Sequence, residues 1–214
     1  MTDQTFNLSK DQPVFDLTKA APSTTQLLVA GCSWKTKMSS SGVDIDLSVI
    51  ACDARDNKVE IAYFGNCCKD LLGGALFHFG DDLTGSDAQT DTDNEQVRIH
   101  LDKMPANVVA LYVMASLYSG SMNQISSCNV CIRDSTNAKV INADMDSLSS
   151  RAVMLAKIVR DNNEWKVELI DGGMDTPTAS GALPYIKGSK TYIQPGDIPG
   201  ETEEKKGFFS RMFS

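Results

Sequence analysis

Between residues 25 and 171 the chain alternates apolar and polar positions with a period of two. Within 96–103, Val97, Ile99 and Leu101 fall on one side while Arg98, His100 and Asp102 fall on the other, and 43–52 alternates in the same way. That period belongs to strands buried on one face. Further strands are predicted at 25–34, 59–65, 75–79, 108–118, 125–133, 138–143, 152–160 and 165–171. Turn chemistry separates them at Asp56-Asn57, at Gly73-Gly74, across 134–137, and at Asp161-Asn162-Asn163, where two strands read as a hairpin. Short strands punctuated this often predict an all-β fold, an antiparallel β-sandwich of two sheets. Residues 147–159 can also be drawn as a helix capped by Ser147, but the Val-rich alternation ahead of a hairpin turn favours a strand.

Two segments depart from this texture. Phe6-Asn7-Leu8-Ser9-Lys10 and Phe15-Asp16-Leu17-Thr18-Lys19 repeat nine residues apart and suggest two short edge strands or strand ends. Residues 174–200 hold four of the seven prolines. The expected organisation is a sandwich domain at 1–173, a Pro-rich linker or arm at 174–206, and a short aromatic and basic peptide at 207–214. Drawn as a helix, that peptide places Phe208, Phe209, Met212 and Phe213 on one face beside Lys205, Lys206 and Arg211. The pattern suits docking into a partner groove or onto a membrane surface, against the alternative of a tail that packs on the sandwich or stays disordered.

With 42% hydrophobic and 22% charged residues over 214 positions, the composition is that of a globular protein able to bury a core without disulfides or metal. A net charge of −8 disfavours nucleic acid, whose binding depends on neutralising phosphates. The polar opening lacks a signal-like apolar run, and 108–117 is too short to span a bilayer, so a cytoplasmic protein is expected. Six cysteines then read as reduced thiols. Cys128 and Cys131 with Cys67 and Cys68 could be drawn as a zinc site, but strand positions three apart face opposite ways, which favours buried free thiols.

The charge imbalance is local. Asp81, Asp82, Asp87, Asp91, Asp93 and Glu95 crowd into fifteen residues with no Lys or Arg, and without that segment the net charge would be −2. Oxygen donors at irregular short spacing suit a hard cation such as calcium, against the alternative of a solvated acidic loop. No EF-hand frame fits, so other parts of the fold must complete any site. Asp44 and Asp46, two apart on one predicted strand, project from a single face, and Asn66 at the end of the next strand could add an oxygen.

In this order the motifs resemble the TerD-type tellurium-resistance and stress-response family. The resemblance is carried by Leu8-Ser9-Lys10 with Phe15-Asp16-Leu17-Thr18-Lys19, a Gly-x-x-Trp turn at Gly31-Cys32-Ser33-Trp34, and the strand Asp44-Ile45-Asp46-Leu47. It continues in the aromatic strand Tyr63-Phe64-Gly65-Asn66, the acidic loop His78-Phe79-Gly80-Asp81-Asp82-Leu83-Thr84-Gly85, and the hairpin Asn163-Glu164-Trp165-Lys166. It covers roughly residues 6–173 and implies a calcium-binding β-sandwich without established enzymatic activity. The ligand set it implies is Asp44, Asp46, Asp81, Asp82, Thr84 and Gly85, with Leu83 between them and Asp93, Asn94 and Glu95 closing the loop. Residues 85–93 are longer than the family's Gly-rich stretch, which adds Asp87 and Asp91 as candidates, while Lys35 replaces an acidic residue often found after the Trp. Implied partners are calcium ions and either other Ter-type proteins or a membrane-associated partner reached through the C-terminal peptide, peripheral to the inner face of the membrane. The alternative is a metal-dependent hydrolase using Asp44, Asp46 and Asp82. His78 and His100, flanked by apolar neighbours on strands, read as ordinary strand residues, and no nucleophile elbow or phosphate-binding loop is present.

Overall fold

The structure is a computed structural model that describes residues 14–17, 26–37, 42–85, 93–144, 150–162 and 164–193. Eleven strands are described: β1 (Val14–Asp16), β2 (Leu27–Thr36), β3 (Asp44–Cys52), β4 (Lys58–Ala62), β5 (Leu76–His78), β6 (Glu95–His100), β7 (Ala110–Ser119), β8 (Ile125–Asp134), β9 (Lys139–Asp144), β10 (Ala152–Asp161) and β11 (Glu164–Met174). They form two antiparallel sheets, one of six strands in the order β1-β11-β10-β7-β3-β4 and one of five in the order β5-β6-β2-β8-β9. The predicted β-sandwich is thus observed.

The two sheets differ because their sequences alternate differently. β6 reads buried, half-buried, buried along its whole length, with Val97 and Ile99 inward and Arg98 and His100 outward. β3 is buried at every position and β7 at its first eight, so both of their faces need cover. Their inward residues, Ile45, Leu47, Val49, Leu111, Val113 and Ala115, join Leu28, Trp34, Ile99 and Ile132 in the core between the sheets. Each such fully buried side chain stabilises the fold by about 1.5–3 kcal/mol. Their outward residues, Ile50, Cys52, Tyr112 and Met114, form a second apolar cluster with Ala179, Ala182, Tyr185 and Ile186. Residues 174–193 therefore pack over the outside of the six-stranded sheet, through a short helix α1 (Leu183–Ile186) and a two-way backbone pairing of Gly173 with Ile193 at 2.8 Å.

Several expectations shift locally. The Gly31–Trp34 stretch lies inside β2 and not in a turn, because its backbone pairs with β6 and β8 on both sides. The predicted strand 96–103 ends at His100, where a 3-10 turn at Leu101–Lys103 takes over. The predicted strand 59–65 ends at Ala62, since Asn66 turns the chain back: Tyr63 N–H donates to its Oδ1 at 3.0 Å and its Nδ2 donates to the Ile61 carbonyl at 2.7 Å. Over 147–159 the favoured strand, and not the alternative helix, is observed in the described part as β10, paired on both edges. In the β10–β11 hairpin, Asp161 pairs with Glu164 and Asn162 has a φ of 49°. The first copy of the N-terminal repeat, Asp87, Asp91 and the peptide at 207–214 lie outside the described residues. No helix among the described residues is long and apolar enough to cross a membrane.

Candidate metal centre

The site begins with an incomplete ladder. β4 pairs with β3 only from Val49 to Cys52, so the preceding half of β3 lacks a strand neighbour on that side. Side chains from the five-stranded sheet take over: Leu47 N–H donates to Glu95 Oε2 at 2.6 Å, and the Leu47 carbonyl lies 3.2 Å from His78 Nε2. Gly80 N–H donates to His78 Nδ1 at 3.3 Å, which leaves the ring proton on Nε2, aimed at Leu47 and 3.5 Å from Glu95 Oε2. Both side chains are fully buried. They stitch β5 and β6 onto β3 and bring the loop after His78 over its open half.

On the outer face of that half stand Asp44 and Asp46, 7% and 4% exposed. One carboxylate oxygen from each gathers with one from the exposed Asp81, all within 4.8 Å of one another. Asp44 Oδ1 and Glu95 Oε1 are buried with no hydrogen-bond partner, and the Asp81 carboxyl lies within hydrogen-bonding reach of Glu95. Acceptors facing acceptors in a buried place need a proton or a cation between them. Burial, with Asp81 and Asp82 nearby, pushes the Asp44 carboxyl up to about 6. Burial, with Glu95, Asp44 and Asp81 nearby, pushes Asp46 up to about 8. Burial also raises Glu95, despite the opposing contacts from His78 and Leu47.

The remaining residues of the implied ligand set serve the loop. Burial works against the Asp82 carboxylate, but Asn94 Nδ2 at 2.7 Å, the N–H groups of Thr84 at 2.9 Å and Gly85 at 3.0 Å, and the Thr84 hydroxyl hold it below the usual range. Asn94 Oδ1 in turn accepts from Trp34 N–H at 2.9 Å. The Trp34 indole donates to the Val43 carbonyl at 3.2 Å and packs on Gly85, whose φ is 61° and where an added Cβ would lie 2.4 Å from the indole nitrogen. Asp93 forms a two-pronged pair with Arg133 and also accepts from Gln96. This pair lies over β2 at Gly31, where a Cβ would sit 2.0 Å from Asp93 Oδ2. Leu83 is 59% exposed, and Asn66 spends its amide on its own turn. The structure therefore gathers Asp44, Asp46 and Asp81 with Glu95 beneath; Asn66 lines the cleft beside Asp46, and Asp93 and Asn94 line a smaller pocket with Asp81.

Sequence reasoning missed three contributors. His78, read as an ordinary strand residue, closes the β3 edge from the other sheet. Arg133 claims Asp93 from forty residues away. Ser116, directly opposite Asp46 on β7, has a buried hydroxyl with no hydrogen-bond partner. With Asp46, Ser48, Lys58 and Tyr63 it lines a cleft of about 480 Å³. None of these has a local signal, since each depends on which strands become neighbours. The thiols of Cys128 and Cys131 lie on opposite faces of β8 as expected, and among the described residues no cysteine joins a group of three or more metal-ligating side chains.

Residues 5–180 match the model of the TerD domain. General stress protein 16U of Bacillus subtilis is 29% identical over 201 residues, covering 85% of this chain and 97% of that protein. Tellurium resistance protein TerD of Serratia marcescens is 29% identical over 192 residues, covering 84% of this chain and 96% of that protein. Among solved structures, a homologue of the telluride resistance protein TerD from Streptomyces coelicolor aligns with a TM-score of 0.61 at 14% identity, over 72% of this chain and 96% of that one, a likeness of fold. With the family model spanning most of the sandwich, the chain belongs to the TerD domain family of tellurium-resistance and stress-response proteins.

Proposed function

We propose that this chain is a non-enzymatic calcium-binding protein whose cation site is built on Asp44, Asp46 and Asp81, with Glu95 behind them and Asp82, Thr84, Gly85 and Asn94 shaping the loop. The observation that carries this reading is the convergence of three carboxylates, two of them buried and one with a donorless oxygen. Hard oxygen donors on a strand and a loop favour calcium over magnesium, which demands compact octahedral geometry and keeps its waters. Asp87 and Asp91 remain candidate ligands on the same loop. Because Asp46 holds its proton up to about pH 8, cation uptake displaces it, and affinity should rise with pH toward that value.

The site's output, in this reading, is a calcium-dependent contact with a partner protein or an anionic membrane surface. Among the described residues, Phe79 and Leu83 beside the acidic loop are exposed large apolar side chains, as are Tyr63 and Tyr118. The hydrolase alternative has no observation in its favour: His78 is committed to Leu47 and Gly80, and His100 faces Asp102 at 3.6 Å. The deciding experiment is isothermal titration of calcium into chelator-treated protein, followed by anionic liposome sedimentation with and without calcium. Binding heat that vanishes in Asp46→Asn supports the reading. No heat, together with a melting temperature indifferent to chelator, overturns it.

A further inference from the structure

Of the six cysteines, Cys32, Cys52, Cys128 and Cys131 are at most 1% exposed, whereas Cys67 is half-buried and Cys68 is exposed. These two accessible thiols are consecutive, in the turn after the 3-10 segment Phe64–Asn66. Cys68 holds a φ of 61°, a left-handed backbone that a side chain disfavours. It is pinned there by Cys68 N–H donating to the His78 carbonyl at 2.8 Å, and its Sγ approaches the Phe79 carbonyl at 3.6 Å. Burial raises the Cys67 thiol, and the neighbouring Cys68 raises it further. A pair of free thiols is thus preset on the surface, at the rim of the acidic loop.

We propose that Cys67 and Cys68 form a two-thiol clamp for a thiophilic trivalent metalloid, with arsenic(III) as the test species. Soft sulfur donors select soft ions, so this site and the hard carboxylate site draw on separate classes of ion. The reaction is a condensation: two S–As bonds form, the oxygen of an arsenic(III) oxide leaves as water with both thiol protons, and no atom changes oxidation state. Once the first bond forms, the second thiol is held beside the arsenic, and this intramolecular closure raises retention by about 10²-fold or more over a single thiol. The clamp does not depend on the calcium reading and can fail or stand without it.

The test uses reduced full-length protein and phenylarsine oxide, read by intact mass after a wash with excess 2-mercaptoethanol and then with 2,3-dimercaptopropanol. One phenylarsine group per chain is expected to survive the monothiol and leave with the dithiol. Cys67→Ser, Cys68→Ser and Cys68→Gly, the last suited to the left-handed backbone, should each lose monothiol-resistant retention by about 10²-fold or more. Cys131→Ser should keep it. Loss of the group from the wild type to 2-mercaptoethanol overturns the proposal. So does an adduct that persists in the double variant Cys67→Ser, Cys68→Ser, because it would place the arsenic on the buried thiols.

Discussion

The outer face of β3 carries Asp44, Asp46 and Ser48 in its first half and Ile50 and Cys52 in its second, on one strand with one common neighbour, β7. The second half has a complete ladder with β4 and an apolar cover from residues 179–186. The first half has no β4 partner; side chains from the opposite sheet hold Leu47 in place of a strand. All nine residues of β3 are nonetheless buried. Burial therefore stabilises one half and stresses the other. Apolar groups gain by leaving water, whereas Asp44 and Asp46 are pushed toward protonation until something positive joins them.

Truncating the apolar half should give the largest effect. Ile50→Ala leaves a cavity between β3 and the C-terminal cover and is expected to destabilise the protein by about 3 kcal/mol in urea unfolding, with calcium affinity unchanged. If that substitution alters calcium binding, the two halves are coupled and the comparison breaks. The acidic half should respond in the opposite sense. Asp46→Asn is expected to raise the stability of metal-free protein at pH 8 by on the order of 2 kcal/mol, by removing a charge that burial and its neighbours disfavour. The same change should abolish calcium stabilisation, which in the wild type is about 2.7 kcal/mol at 100 times the dissociation constant.

Glu95→Ala should destabilise by about 2 kcal/mol, because the buried Leu47 N–H loses its acceptor, while Glu95→Gln should restore most of that loss. Equal losses in both variants would mean that the charge matters and the hydrogen bond does not. The pH profile sharpens the same contrast. Asp44 and Asp46 have folded values raised to about 6 and about 8, so their contribution is fully present below about pH 4 and is lost as pH rises through those values. Metal-free protein should melt progressively lower between pH 5 and 8, and saturating calcium should flatten that decline; a profile flat without calcium would show that the carboxylates are not stressed. The smallest effect is expected at Asp82. Because its carboxylate is held below the usual range by four donors, Asp82→Asn should lower metal-free stability by about 1 kcal/mol, opposite in sign to Asp46→Asn. The urea midpoints of the two variants, compared side by side, check that sign.

Much of this was legible along the chain. The period of two in β6 and the hairpin at Asn162 are local properties, set by side-chain alternation and turn chemistry. The shared face of Asp44 and Asp46 follows from the same period. Asp81 and Asp82, adjacent in sequence and both acidic, were not separable: one joins the carboxylate cluster and the other caps its own loop, according to which backbone N–H groups the turn presents. Asp93 pairs with Arg133 and Asn66 closes its own turn, and no spacing rule reports such partners.

The sequence by itself determined the strands, their inward faces, the acidic character of one loop and the family, because each of these resides in residue type and spacing over short stretches or in ordered motifs. Only the tertiary structure decided that β4 stops short of the first half of β3, that Glu95 and His78 complete the edge, and that Asp81 closes on Asp44 and Asp46. The physical reason is that a carboxylate's role depends on what shares its few ångströms of low-dielectric space. In a sandwich those neighbours come from strands and loops tens of residues apart.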